Sequence, residues 1–174
     1  MKKIILLFLL TFIAGCSEVA RSEESIPTIS KLDQTISHSV IENFGYRHEI
    51  EDDAVKLIEF NEESGKMKII VLTYVFEDES YEEFKADTLD SCANVLQDIK
   101  RQLEVQEVDL IVETQIEDLD GNPKKNLEGI EVETGAIFNM VFERRSLKNT
   151  DFHNLNPLDL SKKASFYFEA TLTE

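Results

Sequence analysis

The sequence predicts an α+β protein: an antiparallel sheet built from two hairpins, with a long amphipathic helix and one or two shorter helices packed on one face. Two observations lead to this class. Short apolar segments occur in pairs joined by turn residues, which is typical of hairpins. Between the two pairs, residues 80–103 repeat apolar side chains at helical spacing. Strand pairs separated by a helix favour an α+β sandwich.

The chain begins with a segment typical of export signals. Lys2 and Lys3 supply positive charge, and residues 4–13 are apolar except for Thr11. This apolar run is well short of the roughly 20 residues that a helix needs to cross a bilayer. The segment is compatible with an ordinary cleaved signal peptide or an uncleaved N-terminal anchor, as alternatives to a lipoprotein signal.

The end of this segment, Ile13-Ala14-Gly15-Cys16, resembles the lipobox of bacterial lipoproteins. The resemblance implies that residues 1–15 are removed as a signal peptide and that the Cys16 sulfur carries a diacylglycerol group, with palmitate as the expected acyl chain. Two acyl chains on one cysteine give stable anchoring. The expected location is extracytoplasmic, lipid-anchored to the cell membrane, or to the outer membrane if the cell is Gram-negative.

The composition of the remaining chain excludes some partners. The whole chain has a net charge of −17, and without Lys2 and Lys3 the charge is about −19. Nucleic-acid binding is disfavoured, because phosphate contacts need lysine and arginine. Residues 16–30 are polar and predict a tether. Residues 31–174 are long enough for a single acidic α+β domain.

Cys92 is the other cysteine of the chain, so no internal disulfide is expected once Cys16 is lipidated. It falls within a helical pattern, which favours a buried structural thiol. A catalytic thiol is the alternative, but it needs a nearby base and an electropositive setting. The preceding residues 87–91 are acidic instead.

The first half of the domain predicts a helix and a hairpin. Residues 30–44 place apolar side chains at four-residue steps, and Gly45 occupies the position of a helix C′ residue. Residues 54–60 and 67–76 predict strands joined by the turn at 61–65. The second of these strands is apolar on both faces, which predicts an interior position in the sheet.

A second helix is predicted after this hairpin. Ser80 and Glu83 have the spacing of a capping box. The apolar face that follows consists of Phe84, Leu89, Cys92, Leu96, Ile99 and Leu103.

A second hairpin and a mixed tail complete the domain. Residues 108–116 alternate apolar and polar side chains, residues 118–123 predict a turn, and residues 135–144 predict a strand that turns Phe138, Met140 and Phe142 inward. Residues 157–166 are compatible with a helix that begins at Pro157. Residues 165–173 also alternate as a strand, so helix and strand stay open here; we favour a helix followed by a short strand.

Residues 91–168 also resemble a domain of uncharacterised surface proteins from low-GC Gram-positive bacteria. The resemblance lies in the order of a helix, a strand, an acidic turn with Gly-Asn (here within 118–122), a strand, and Phe152-His153-Asn154-Leu155-Asn156-Pro157. Phe152 stands where that pattern often has tryptophan. The resemblance implies a surface location and this fold, and it implies no reaction.

Candidate metal and catalytic residues are few. Residues 118–122 resemble the start of a calcium loop, but the glycine comes too early and lysines follow, so a turn is favoured. The acidic segments 49–53 and 77–83 are favoured as solvated surface. His38, His48 and His153 have no zinc spacing. We therefore expect no metal, no cofactor and no catalytic residue, although a triad of histidine, Cys92 and an acid stays open.

The sequence thus predicts a non-enzymatic lipoprotein that binds a partner protein at the cell envelope. Candidate contact residues are the aromatic side chains of Tyr81, Tyr167 and the segment 152–158, for which core packing is the favoured alternative. A hydrolase with an unrecognised site and an accessory ligand-binding lipoprotein are the alternative functions. The partner, the ligand and the Gram type are not predicted.

Overall fold

The computed structural model describes residues 31–76, 78–115, 124–125, 131–132 and 134–170. Their secondary structure combines three α-helices with two sheets. The α-helices are α1 (Lys31–Phe44), α2 (Tyr81–Lys100) and α3 (Arg144–Asn149). The strands are β1 (Val55–Asn61), β2 (Lys66–Leu72), β3 (Glu107–Gln115), β4 (Lys124–Lys125), β5 (Glu131–Val132), β6 (Thr134–Glu143) and β7 (Phe166–Glu169). Short 3-10 helices lie at Gly45–Arg47, Glu51–Ala54, Phe152–Asn154 and Pro157–Lys162.

The α+β class is confirmed, but the prediction of an antiparallel sheet is wrong. The main sheet has the order β1-β2-β3-β6-β7, and β2 and β3 are parallel. The physical reason is the connection: α2 crosses over between β2 and β3 and returns the chain to the end of the sheet where β2 began. The pairs β1–β2 and β3–β6 are antiparallel, as expected of the two predicted hairpins. A separate antiparallel pair, β4–β5, was not predicted.

One face of the sheet forms the hydrophobic core. Alternate residues of β2, β3 and β6 are buried there, and the buried side chains of α1 and α2 join the same cluster. We call this the inner face and the opposite one the outer face. Phe138, Met140 and Phe142 point to the inner face, as predicted. β2 lies inside the sheet, as predicted, but only its inner face is fully buried.

The helix ends differ from the prediction in two places. The capping box of α2 is confirmed: the Ser80 hydroxyl accepts the Glu83 N–H, and the Glu83 carboxylate accepts the Ser80 N–H. However, α2 ends at Lys100, and Leu103 is 75% exposed rather than part of the buried face. Gly45 begins a 3-10 helix and has no positive φ, so it is not a left-handed C′ residue. A Cβ at this position would lie 2.9 Å from Cβ of Glu51, so the glycine permits a close approach.

The tail contains less helix than predicted. Pro157 does begin a helix, but it is a 3-10 helix of six residues capped by the Asn156 side chain. β7 follows and is shorter than the predicted strand, and α3 was not predicted. Strand β2 ends at Leu72, before the predicted end at residue 76. No helix in the described part of the chain is long and apolar enough to span a membrane.

Candidate functional site

Several predicted site residues lie outside the described residues. These are Cys16, the signal and tether segments, and the calcium-like turn at 118–122. The acidic segment 49–53 is described and forms an exposed loop with a 3-10 turn. Among the described residues, no three or more His, Cys, Asp or Glu side chains gather in a way that could hold a metal ion.

The ion pair of His38 and the hydrogen bond of His48 both involve groups other than Cys92. His38 faces Glu42 one helical turn away, at 3.1 Å on the exposed side of α1. His48 donates from Nε2 to the Leu72 carbonyl oxygen at 2.8 Å. Cys92 is fully buried in α2, and this burial raises the pKa of its thiol. The prediction of a buried structural thiol is confirmed.

The predicted aromatic contact residues Tyr81 and Tyr167 serve a polar network at the edge of the core. Both hydroxyls donate to the carboxylate of Glu169, at 2.8 and 2.9 Å, and Lys85 forms a salt bridge with it. Desolvation and the bond to Glu169 raise the pKa of Tyr81 to about 12. Although burial acts to raise the pKa of Glu169, the bonds from Lys85 and the two tyrosines hold it below its usual value. This network ties β7 to α2.

The exposed aromatic residues differ from the aromatic residues predicted to contact a partner. Phe152 is buried and packs edge-on against Phe142. Phe166 and Phe168 of β7 are instead 51% and 46% exposed. Residues 165–173 do alternate in the sequence, but alternation does not reveal which side faces the core. The pairing of β7 with β6 settles this, because Phe166 lies opposite Val141 and Phe168 opposite Asn139 on the outer face.

The outer face carries two neighbouring rows of side chains across all five strands. The strand registers place Leu57, Ile70, Ile111, Asn139 and Phe168 in the first row. The second row consists of Glu59, Lys68, Asp109, Val141 and Phe166. None of these residues is buried. The outer face is therefore apolar along one row and mixed along the next.

Charged side chains flank these rows. Lys56 reaches across β2 to Glu113, which also accepts from the Thr134 hydroxyl at 2.7 Å. Lys66 pairs with Glu107 at 2.8 Å. An open groove of about 660 Å³ lies at the β1 and β2 edge of the sheet, lined by residues of both faces and by Asp33 of α1. Its polar lining includes Glu59, Asn61, Ser64, Lys66, Lys68 and Asp109.

Asp109 and Asn139 are the two unusual polar residues of the outer face. Oδ1 of each is buried and has no hydrogen-bond partner within the described part of the chain. Burial raises the pKa of the Asp109 carboxyl, which outweighs the opposing effect of Lys68. An unpaired buried acceptor costs about 1–3 kcal/mol. The domain itself covers both oxygen atoms, so they add an energetic cost to the native fold.

We expect Asp109→Asn to raise the Tm of the domain at pH 7, since it removes a poorly solvated charge. The raised pKa means that Asp109 does not lower the free energy of unfolding below its unfolded pKa, where it is protonated in both states. The wild-type domain then loses stability as the pH rises through the folded pKa. The gain should therefore be near zero at pH 3 and grow towards pH 7 in thermal unfolding. Asp90→Asn, at an exposed site of α2, is the control. A variant that loses stability as the pH rises, relative to wild type, would contradict this.

No known protein family, curated protein or solved structure matches this chain.

Proposed function

We propose that the chain is a non-enzymatic, lipid-anchored binding module of the bacterial cell envelope, and that it binds a partner protein through the outer face of its sheet. The observation that carries the binding role is the exposed pair Phe166 and Phe168 beside Val141 and Ile111. Exposed apolar patches of this kind mark interaction surfaces in soluble domains. Aromatic residues are also enriched in protein interfaces.

The rest of the surface supports the same choice of face. Acidic residues outnumber basic ones in the chain, 35 to 18, and they are spread over the helices and loops. Tyr46 and Phe76 form a second exposed aromatic pair, but they lie in loop segments, whereas Phe166 and Phe168 lie on a strand of the sheet. Because the sheet is held by the core behind it, the row is also preorganised, which lowers the entropy cost of binding.

Anchoring through Cys16 is the second part of the proposal. It rests on the lipobox-like sequence Ile13–Cys16, and residues 16–30 would then act as the tether. Such a tether would allow the domain to turn its outer face towards a neighbour in the same envelope. The cell membrane is thus the proposed location.

An accessory ligand-binding role is the second candidate, and the groove beside Lys66 is the observation that favours it. Its volume of about 660 Å³ is within the usual range for small-molecule sites. Small-molecule sites are lined mainly by apolar side chains, however, whereas the lining of this groove is largely polar. Its Lys66 is also already paired with Glu107. We therefore rank protein binding first.

The test of binding places a photoreactive benzoylphenylalanine at position 168 of the full-length chain. The variant is expressed in the native bacterium, so that crosslinking takes place in the native cell envelope. We expect a defined crosslinked product with an envelope protein. The matched control places the same group at Leu103, which is also apolar and 75% exposed but lies outside the outer face. Equal products from both positions, or none from position 168, would overturn the binding surface.

The anchor is tested separately by mass spectrometry of the mature N-terminus. A lipid-modified Cys16 at the first position is expected, and Cys16→Ser should lose the lipid and leave the membrane fraction. An unmodified cysteine in the mature protein would refute the anchor and leave the binding test unaffected.

A further inference from the structure

A second apolar surface lies on two loops at the end of the sheet where β2 ends. Tyr46 and Phe76 are 55% and 47% exposed, and their ring centroids are 6.5 Å apart. Ile50 and Val75 lie in the same two loops and are also exposed. We call these four residues the loop patch. Large apolar side chains that are exposed together, rather than singly, mark interaction sites.

A buried ion pair holds the two rings of the loop patch in place. Arg47 is buried against them, with its guanidinium carbon 5.2 Å from the centroid of the Tyr46 ring and 4.8 Å from that of Phe76. Its Nε donates to the Tyr46 hydroxyl at 2.9 Å. Glu79 accepts from Arg47 and also accepts from the Phe76 N–H at 3.1 Å. Both exposed rings are therefore preorganised, which lowers the entropy cost of binding.

A purely stabilising role does not explain why these two charges are buried. Replacing a buried ion pair with apolar side chains of similar volume is often neutral or even stabilising. The hydrogen bonds of the pair reach the Tyr46 hydroxyl, the Tyr74 carbonyl oxygen and the Phe76 N–H. The buried pair thus supports a rigid cluster of exposed rings, and aromatic side chains of this kind supply much of the binding energy in protein interfaces.

The rim of the loop patch is acidic. The exposed acidic residues described in the two loops are Glu49, Glu51, Asp52, Asp53 and Asp78. Asp87 of α2 adds another, since its side chain is 63% exposed and its Oδ2 lies 3.6 Å from Nη2 of Arg47. Because the same guanidinium contacts both rings, this distance places Asp87 at the edge of the patch.

The basic residues nearest to this rim in the sequence are engaged in ion pairs. The pairs are Arg47 with Glu79, Lys56 with Glu113, and Lys85 with Glu169. The negative charge is thus a local property of this surface and does not depend on the charge of the whole chain. An apolar centre with an acidic rim is complementary to a segment whose apolar side chains alternate with basic ones.

The rim also decides between the alternative occupants. A second copy that docked through the same patch would place the two acidic rims against each other, because a two-fold contact pairs a surface with itself. An anionic membrane surface attracts basic segments and repels an acidic rim. A basic segment of another protein gains both from the rim and from contact with the rings.

We propose that the loop patch is a second docking site, which binds a segment of a partner protein with apolar side chains on Tyr46 and Phe76 and a lysine or arginine at Asp87. This site is separate from the outer face of the sheet. It therefore goes beyond the proposed function and can fail or succeed independently of it.

Fluorescence anisotropy tests the site with the full-length chain in nonionic detergent and a labelled peptide, Leu-Arg repeated four times. A Ser-Arg peptide of the same charge and a Leu-Glu peptide of the same length are the counter-probes. We expect the Leu-Arg peptide to bind at least about tenfold more tightly than either, because binding needs both apolar contact and complementary charge.

Paired variants locate the bound peptide. Phe76→Ser should weaken its binding about tenfold, whereas Phe166→Ser, which removes a ring of similar exposure from the outer face, should change it less than about twofold. Asp87→Asn should weaken binding about threefold and reduce its salt dependence. Glu63→Gln, which removes an exposed charge at the opposite end of β2, should do neither. Circular dichroism checks the fold, and Ile50→Ser, outside the buried ion pair, repeats the apolar test.

Failure of the Leu-Arg peptide to bind would overturn the inference, as would equal weakening by Phe76→Ser and Phe166→Ser. Self-association in sedimentation that Phe76→Ser abolishes would assign the patch to a second copy instead. Binding to phosphatidylglycerol vesicles that the same variant abolishes would assign it to a membrane, and either result refutes the basic segment. The crosslinks from position 168 test the outer face separately.

Discussion

Replacing Arg47 with methionine is expected to destabilise the domain by about 3–5 kcal/mol, since the change leaves the Glu79 carboxylate buried without its partner. The Arg47 side chain is 1% exposed and that of Glu79 is 9% exposed. Arg47 donates two hydrogen bonds to Glu79, at 2.7 and 2.6 Å. It also donates to the Tyr74 carbonyl oxygen at 2.9 Å and packs over the ring of Phe84. The pair therefore holds the segment between β2 and α2 against the first 3-10 helix.

The stability lost in Arg47→Met should depend on pH in a predictable direction. Hydrogen bonds from Arg47 are the largest effect that holds the pKa of Glu79 below its usual value. A lowered pKa contributes stability above the unfolded pKa, and that stability is lost as pH falls through the folded pKa. The difference between wild type and Arg47→Met should therefore be largest at neutral pH and shrink under acid conditions.

Thermal unfolding checks this prediction, with an expected decrease in Tm of roughly 6–20 °C for a domain of this size. Arg145→Met removes the same charge at an exposed position and should shift Tm by less than about 2 °C. The double variant Arg47→Met/Glu79→Leu should recover much of the loss, because it replaces the pair with apolar side chains. If Arg47→Met alone were as stable as wild type, Glu79 would have to find water or another partner.

The second large effect is the contrast between two phenylalanines on opposite faces of the sheet. Phe138 is fully buried on the inner face, so Phe138→Ala should cost about 3–5 kcal/mol through lost burial and the cavity that remains. Phe168 is 46% exposed on the outer face, and Phe168→Ala should cost less than about 1 kcal/mol. Denaturation by urea measures both.

This contrast bears on function as well as on stability. If Phe168 contributes little to folding, its exposure has to be explained by something other than the core of this domain. A cost for Phe168→Ala as large as that for Phe138→Ala would mean that the outer face is covered in solution. The partner-binding proposal would then lose its surface.

The elements predicted best are those whose signals are local. Ser80 and Glu83 are three residues apart, and their capping box forms within one turn of helix regardless of the rest of the chain. The burial of Cys92 also follows from spacing along a single helix. Such features depend on neighbours in sequence, which a single chain displays directly.

The outer face could not be predicted, because it depends on pairing between distant strands. Asp109 and Asn139 are thirty positions apart and become neighbours only through the register of β3 and β6. That register contains a bulge between Val112 and Glu113, and a bulge changes which side chains share a face. The parallel pairing of β2 with β3 likewise depends on where the crossover returns the chain.

The sequence by itself determined the class of the protein, its acidic character, the positions of the main helices and strands, and the lipobox-like signal that underlies the anchoring proposal. These follow from composition and short-range periodicity. Tertiary structure decided the strand order, the mixed direction of the sheet, and the face on which Phe166, Phe168, Asp109 and Asn139 meet. The reason is that residue alternation specifies two faces of a strand, whereas only packing against the helices decides which of them remains open to a partner.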